Sequence, residues 1–307
     1  MTDIENDVWE TFNFDDYTRN TYSKYCPVYP HVNEDLESLF SNLNVLGKNV
    51  LTVAGSGDQA FYAYHNGAKN VDLFDINCLT RYYYYLRMWV IKYFSCFYLE
   101  DFEISNKEEY ADKYCKMFDI TKESFRYSLK NIDKNFELLL SIVKTSSEDE
   151  KNAYNYWKIV FKKCKSNWGE NGFNYFLTNL FFADDISDDR KNIKDLSIVS
   201  NKILNNSSSF YNFDISRDLL EIDKKYDVLI VSNIVDSIHS VNGMYTFRDN
   251  LYNLINDDGC CVLSNVKYNI MDVKKEFLKE IFEFHELPYY ESFNKKTMPL
   301  GNVLVKK

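Results

Sequence analysis

NVLTVAGSGDQA, at residues 49–60, joins a short apolar run to a glycine-rich turn. The apolar run has the length and composition of a buried parallel strand, and a helix is expected to follow it and to stop at Gly67. A second apolar run, residues 71–74, ends at Asp75. This order of strand, glycine turn, helix, strand and aspartate is typical of proteins that bind a nucleotide or a nucleoside.

Two features of the unit suit such a ligand. Gly55 and Gly57 let the backbone turn sharply and approach a ligand, and the helix that follows offers free N–H groups at its N-terminus. An acidic residue at the end of the second strand can accept hydrogen bonds from both ribose hydroxyls, and Asp75 stands at that position. The alternative is an ordinary tight turn beside a solvated Asp75.

Asp58 bears on which nucleoside the turn would hold. Residues 55–60 formally fit the Gly-x-Gly-x-x-Gly/Ala pattern of dinucleotide sites. A dinucleotide places its pyrophosphate at this helix N-terminus, where the Asp58 carboxylate would repel it by about 1 kcal/mol at partial exposure. S-adenosylmethionine instead presents a cationic sulfonium and a cationic ammonium, which Asp58 would attract. The turn therefore favours S-adenosylmethionine over NAD.

Polar residues also end two later strands, at the edge of the sheet where ligands bind in open α/β folds. Asp214 follows a strand expected at 209–213, and it suits either a hydrogen bond from the adenine amino group or the N-cap of the next helix. Ser232 and Asn233 end another expected strand. There they could face the reacting end of a cofactor, or cap the helix that follows.

The remaining patterns predict the fold class and the domain organisation. Residues 49–104 and 206–307 alternate strands and helices, which predicts an α/β domain with a doubly wound, mostly parallel seven-stranded sheet. Residues 105–205 are expected to be a helical insertion, because apolar residues recur there at three- and four-residue steps. Residues 1–48 are expected to form an N-terminal arm that includes a short helix over 33–43, capped by Asn33.

Within the second α/β segment, the bounds of the elements are also predicted. Asp257-Asp258-Gly259 is expected to turn into a fifth strand at 260–264, and a last helix is expected at about 272–284. Two closing strands are expected at 289–293 and 302–306, where the short loop between them permits an antiparallel edge.

The composition disfavours several classes of function. The net charge is −10, so the cationic face that a nucleic-acid substrate needs is not expected. The seven cysteines lack C-x-x-C spacing, which disfavours a disulfide framework and a metal site. The N-terminal residues are acidic and apolar residues 82–99 are interrupted by Arg87 and Lys92, so neither a signal peptide nor a membrane span is expected. A cytoplasmic location fits these features.

Several segments between residues 20 and 100 resemble a known family. The matching segments are 22–30 (YSKYCPVYP), Asn33-Glu34, 50–60 (VLTVAGSGDQA), Gly67-Ala68-Lys69 and 74–77 (FDIN). They are similar to a bacterial group related to the S-adenosylmethionine:diacylglycerol 3-amino-3-carboxypropyl transferases of betaine-lipid synthesis. The resemblance implies a class I methyltransferase-like Rossmann fold that binds S-adenosylmethionine.

The resemblance also implies roles for individual residues. It puts Gly55, Gly57 and Asp58 at the methionine moiety and Asp75 at the ribose. The adjacent motif positions assigned to the same cofactor site are Ser56, Ile76 and Asn77. The chain departs from common methyltransferases at Val53, where an acidic residue is frequent, and at Gln59, where a third glycine is frequent. Asp58 is therefore expected to replace the usual contact, and the arm with Tyr22, Tyr25 and Tyr29 is expected to fold over the cofactor as a lid.

Together these features predict a transferase that uses S-adenosylmethionine on a small-molecule acceptor, with the helical insertion shaping the acceptor site. Transfer of a methyl group and transfer of a 3-amino-3-carboxypropyl group are both open, and no catalytic side chain stands out. Two other functions are also open. An NAD-dependent oxidoreductase would use the same turn, and a non-catalytic protein could hold S-adenosylmethionine without turnover.

Overall fold

The computed structural model describes residues 2–12, 24–25, 34–94, 136–137, 139–167, 208–218, 222–264, 268–291, 297–299 and 301–307. They belong to two compact units. The helical unit comprises residues 1–21, 25–31 and 78–207, and the sheet unit comprises 22–24, 32–77 and 208–307. Most of the predicted helical insertion lies outside the described residues, as do Tyr22 and Tyr29 of the predicted lid.

The helices and strands have the following bounds. The helices are α1 (Asp3–Phe12), α2 (Leu36–Ser41), α3 (Asp58–His65), α4 (Thr80–Phe94), α5 (Glu148–Asn167), α6 (Ile234–Ser237), α7 (Val241–Leu254) and α8 (Tyr268–Lys279). The strands are β1 (Asn49–Val53), β2 (Asn70–Asp75), β3 (Phe210–Asn212), β4 (Tyr226–Ile230), β5 (Ile255–Ser264), β6 (Phe282–Glu286), β7 (Tyr289–Glu291), β8 (Thr297–Pro299) and β9 (Gly301–Lys306).

Seven of these strands form one sheet in the order β3-β2-β1-β4-β5-β9-β6. The first five strands pair in parallel, and β9 runs antiparallel to both β5 and β6. This confirms the prediction of a doubly wound, mostly parallel seven-stranded sheet. The direction of the strand order reverses between β1 and β4, and such a switch point is where ligands bind in open α/β sheets.

The central strands are short apolar runs because both of their faces are covered. Val50 and Leu51 of β1, Leu73 of β2 and Leu229 of β4 are fully buried. Leu51 and Leu229 lie side by side in the parallel register between β1 and β4. This packing holds the carboxyl ends of β1, β2 and β4 close to one another at one edge of the sheet.

Two predicted bounds and one predicted strand pairing in the second half of the chain are wrong. The last helix ends at Lys279, and residues 282–286 are the edge strand β6, whose Phe282 is buried in the core. The predicted strand at 289–293 is β7, which pairs with β8 in a separate two-stranded sheet. The residues of the expected turn before the fifth strand lie inside β5, where the pairing with β4 is irregular. A Cβ at Gly259 would lie only 2.9 Å from the Asp227 carbonyl oxygen, so a larger residue would not fit there.

Helices outside the central sheet complete each unit. In the sheet unit, α2 begins at Leu36 and its N-cap is Asp35, which accepts a hydrogen bond from the Ser38 amide, so the predicted Asn33 cap is wrong. In the helical unit, Tyr82 of α4 stacks on Tyr156 of α5 with ring centroids 3.9 Å apart. Within the described ranges, no helix is long and apolar enough to cross a bilayer.

Candidate cofactor site

The glycine turn after β1 has the backbone that its sequence predicts. Gly55 has φ 47° and Gly57 has φ 86°, both in the left-handed region that side chains with a Cβ rarely adopt. The Gly57 amide donates to the Ala54 carbonyl at 2.6 Å, which closes the turn, and α3 begins at Asp58. Gly57 is the N-cap of α3 and has no side chain that could cap the helix. The turn therefore presents the helix N-terminus at the carboxyl edge of the sheet.

Asp75 ties this turn to the end of β2. Its Oδ2 accepts a hydrogen bond from the Gly55 amide at 2.9 Å, and its Oδ1 accepts one from the Asn77 amide at 2.9 Å. Asn212 of β3 donates to the carbonyls of Asp75 and Ile76, at 2.8 and 3.1 Å. A carboxylate offers about four acceptor positions, so these bonds are compatible with further ones from ribose hydroxyls.

Ser56 orients the second acidic residue of the turn. The buried Ser56 hydroxyl donates to Asp58 Oδ2 at 2.7 Å, across the first residues of the turn. A hydrogen bond to an ionised acceptor is short and strong, so it restrains the Asp58 carboxylate beside the N-terminus of α3. The structure thus brings together the predicted residues Gly55, Ser56, Gly57, Asp58, Asp75, Ile76 and Asn77.

Asp214 uses its carboxylate within its own turn. Its Oδ1 accepts hydrogen bonds from the amide and the hydroxyl of Ser216, at 2.9 and 2.7 Å, and its Oδ2 lies 3.1 Å from Arg217 Nε. Residues 215–218 form a turn where a helix was predicted to start. The observed contacts correspond to the capping alternative, and a bond to adenine remains a prediction.

Ser232 and Asn233 follow β4, next to β1 in the sheet. Ser232 has φ 50°, and it is the non-glycine residue with positive φ in the described part of the chain. Such a conformation costs about 1–3 kcal/mol and persists where the surroundings impose it, which is common at functional sites. Asn233 occupies the N-cap position of α6, but its side chain makes no capping hydrogen bond. Capping by the side chain therefore does not explain Asn233.

Sequence reasoning missed a buried acidic residue that joins these two strand ends. Glu34 accepts a hydrogen bond from the Ser232 hydroxyl at one carboxylate oxygen and from Gln59 Nε2, at 2.7 Å, at the other. The Gln59 amide oxygen in turn accepts from the Thr52 hydroxyl of β1 at 2.7 Å. Burial raises the pKa of Glu34, although the hydrogen bonds from Ser232 and Gln59 oppose that rise. No local sequence pattern predicts this network, because Glu34 and Ser232 lie 198 residues apart in the chain.

Tyr25 belongs to the helical unit, not to the sheet unit that carries the turn. Its hydroxyl donates to Asp7 Oδ1 at 3.0 Å and accepts from Asn6 Nδ2 at 2.8 Å. Burial is the largest cause that raises the pKa of Tyr25, and the neighbouring Cys78 and Asp7 raise it further. The role of Tyr25 in a lid remains a prediction.

Solved structures similar to this chain include three methyltransferases at low sequence identity. A TehB-like S-adenosylmethionine-dependent methyltransferase from Corynebacterium glutamicum is 10% identical, with a TM-score of 0.39 over 99% of this chain and 98% of that one. The N-methyltransferase NodS from Bradyrhizobium japonicum, solved with S-adenosyl-L-homocysteine, is 8% identical, with a TM-score of 0.39 over 100% of both chains. A glycopeptide N-methyltransferase, MtfA, solved with sinefungin, is 8% identical, with a TM-score of 0.33 over 92% of this chain and 69% of that one. No family model and no curated sequence matches the chain.

Proposed function

We propose that the sheet unit binds S-adenosylmethionine at the turn formed by residues 55–58, and that the chain is a transferase dependent on this cofactor. The observation that carries the proposal is the hydrogen bond from Ser56 to Asp58. It holds a carboxylate beside the helix N-terminus, where a dinucleotide site would receive a pyrophosphate.

The electrostatics of the site support a cationic ligand. Asp58 and Asp75 both lie at the turn, and Asp75 is buried against the Gly55 amide. The Asp58 carboxylate repels a pyrophosphate at this helix N-terminus and attracts the sulfonium and ammonium groups of S-adenosylmethionine, whereas Asp75 suits the ribose of either cofactor. Asp75 would accept the ribose hydroxyls and Asp58 would face the methionine end. An NAD-dependent oxidoreductase is the weaker alternative for this reason.

The reaction itself needs little from the protein beyond the placement of its reactants. Transfer of a methyl or a 3-amino-3-carboxypropyl group from a sulfonium proceeds when an acceptor nucleophile is held in line and water is excluded. We infer that the acceptor is a small molecule and not a nucleic acid, because the chain has a net charge of −10. Analysis of the products separates the two transfers, since methyl transfer leaves S-adenosylhomocysteine and the other leaves methylthioadenosine.

Thermal shift measurements with four ligands test the proposal. S-adenosylmethionine and S-adenosylhomocysteine are expected to raise the melting temperature, since a ligand at 100 times its Kd stabilises by about 2.7 kcal/mol. NAD is expected to give no shift, and methylthioadenosine, which lacks the amino-acid end, is expected to give a smaller one. A shift with NAD alone would overturn the proposal.

A charge reversal at the turn provides the matched variant. Asp58→Lys is expected to abolish binding of S-adenosylmethionine, because it replaces the attracting carboxylate with a repelling ammonium. Asp223→Lys is the control, since Asp223 is exposed and precedes β4 at the opposite edge of the sheet. Binding by Asp58→Lys with the affinity of the control would show that the carboxylate does not recognise the cofactor.

A further inference from the structure

Glu34 spans the switch point of the sheet. One of its carboxylate oxygens is bonded to Gln59, in the first turn of α3 after β1, and the other is bonded to Ser232, directly after β4. These are the two adjacent strands between which the strand order reverses. Ligands of open α/β sheets bind outside the carboxyl ends of the strands at this crevice. Glu34 thus lies at the position where the fold places a ligand.

The Glu34 carboxylate is buried among neutral groups. In the part of the chain that the structure describes, no Lys, Arg or His forms an ion pair with it. The third polar group close to it is the buried Ser264 hydroxyl at the end of β5, which also opposes the rise in the pKa of Glu34. A buried carboxylate without a cation is costly, and two neutral hydrogen bonds recover only part of that cost.

The network around Glu34 fixes its orientation before any ligand arrives. The Thr52 hydroxyl donates to the Gln59 amide oxygen, which turns the Gln59 amide nitrogen toward Glu34. On the other side, Ser232 is held at φ 50° with its hydroxyl directed to the carboxylate. A carboxylate that is costly to bury and held by neighbours from two strand ends is preorganised for a cation.

We propose that Glu34 is a second anionic group of the cofactor site and binds the cationic methionine end of S-adenosylmethionine, together with Asp58. This inference rests on the proposed function and adds to it a residue from outside the glycine turn. The cation supplies the countercharge that the described residues do not. Ser232 and Gln59 are positioning residues, because they act on the ligand through the Glu34 carboxylate.

Titration calorimetry on Glu34→Gln tests the proposal. The glutamine keeps the size of the side chain and can accept from Gln59 while donating to Ser232, so the network is retained without the charge. Affinity for S-adenosylmethionine at pH 8 is expected to fall at least about tenfold, which corresponds to 1.4 kcal/mol or more. Glu37→Gln removes one negative charge from the nearby helix α2 and is expected to change affinity less than twofold.

The ligand series identifies which cation Glu34 faces. An equal loss of affinity for S-adenosylmethionine and S-adenosylhomocysteine would assign Glu34 to the ammonium, which both share. A loss for S-adenosylmethionine alone would assign it to the sulfonium. Unchanged affinities in Glu34→Gln, with normal binding by the wild type, would overturn the inference and leave the proposed function intact. A wild type that binds neither ligand would instead refute the proposed function.

The pH dependence of the wild type gives a second measurement that does not depend on a variant folding. A bound cation lowers the pKa of Glu34 from the value that burial has raised, so binding releases a proton. Affinity is therefore expected to rise with pH, and the calorimetric heats are expected to differ between phosphate and Tris buffers. Asp58 and Asp75 are further carboxylates of the same site, and comparison with Glu34→Gln isolates the protons released by Glu34. Equal proton release in the wild type and in Glu34→Gln would contradict the proposal.

Discussion

Each unit of the protein buries a carboxylate, and the two carboxylates are compensated differently. Asp7 in the helical unit is 3% exposed and Glu34 in the sheet unit is 9% exposed. Asp7 accepts from Arg81 at 2.7 Å, Tyr82 at 2.6 Å and Tyr25 at 3.0 Å, so a guanidinium neutralises its charge. Glu34 has only neutral donors. Under the proposal above, the first charge serves the fold and the second is left for a ligand.

The difference does not follow from the kind of unit. Asp72, on β2 of the sheet unit, is buried and forms an ion pair with Lys224. It also accepts from the Tyr226 hydroxyl at 2.8 Å and from the Ser209 amide at 2.9 Å. The sheet unit therefore pairs the buried Asp72 with a lysine, whereas Glu34 at the switch point has neutral donors only.

The largest expected effect is on the compensated carboxylate. Asp7→Asn removes the counterion of Arg81, whose side chain is 22% exposed. Breaking a fully buried pair costs about 3–5 kcal/mol, so a loss of about 3 kcal/mol is expected for this partly buried one. Urea denaturation is expected to show a loss of that size in the free energy of unfolding. Asp3→Asn, at an exposed position of the same helix α1, is expected to cost less than about 1 kcal/mol. A similar small loss in both variants would show that the Asp7 pair does not stabilise the helical unit.

Replacing the uncompensated carboxylate, Glu34, is expected to raise the stability of the folded chain at high pH, whereas replacing Asp7 lowers it. Because the pKa of Glu34 is raised in the folded chain, folding retains a proton that the unfolded chain loses above its ordinary value of 4.5. Wild-type stability is therefore fully present below that value and falls as pH rises through the raised pKa, by up to about 1.4 kcal/mol per pH unit. Glu34→Gln has no such proton to lose.

The wild type and Glu34→Gln are therefore compared by urea denaturation from pH 4 to pH 8. Glu34→Gln is expected to match the wild type near pH 4 and to exceed its stability at pH 8. A gain in stability that accompanies a loss of cofactor affinity is the pattern expected of a functional residue. If Glu34→Gln were less stable than the wild type at pH 8, Glu34 would be a structural residue like Asp7.

The residues that the sequence predicted well are those whose signals are local. The apolar run at 49–54 and the glycines that follow it predicted β1, the turn and α3 to within one residue. The same strand–turn–helix–strand pattern predicted β2 and its terminal Asp75. Each element is short and lies beside its neighbour in sequence, and the two strands are largely buried, so the local pattern carries most of the information.

The features that sequence reasoning missed depend on pairing across long separations. Residues 282–286 became a strand because β9 pairs with them, although the same residues continue the apolar pattern of α8. In the sequence, Glu34 stands out only as part of the family resemblance, and Gln59 stands out as a departure from a frequent glycine. Their connection to Ser232 depends on the sheet bringing β1 and β4 together. Tertiary structure, and not local propensity, creates that part of the site.

The smallest expected effect isolates the backbone strain beside Glu34. Ser232→Ala and Ser232→Gly both remove the hydroxyl that donates to Glu34, but only glycine adopts φ 50° without a Cβ clash. Denaturation is expected to find Ser232→Gly more stable than Ser232→Ala by about 1 kcal/mol. At Ser237, in the helical backbone of α6, the same pair of substitutions is expected to rank in reverse, with alanine more stable by about 0.5–1 kcal/mol. If alanine were the more stable variant at position 232 as well, Ser232 would be unstrained, and Glu34 would then lack the preorganised neighbour that its proposed role requires.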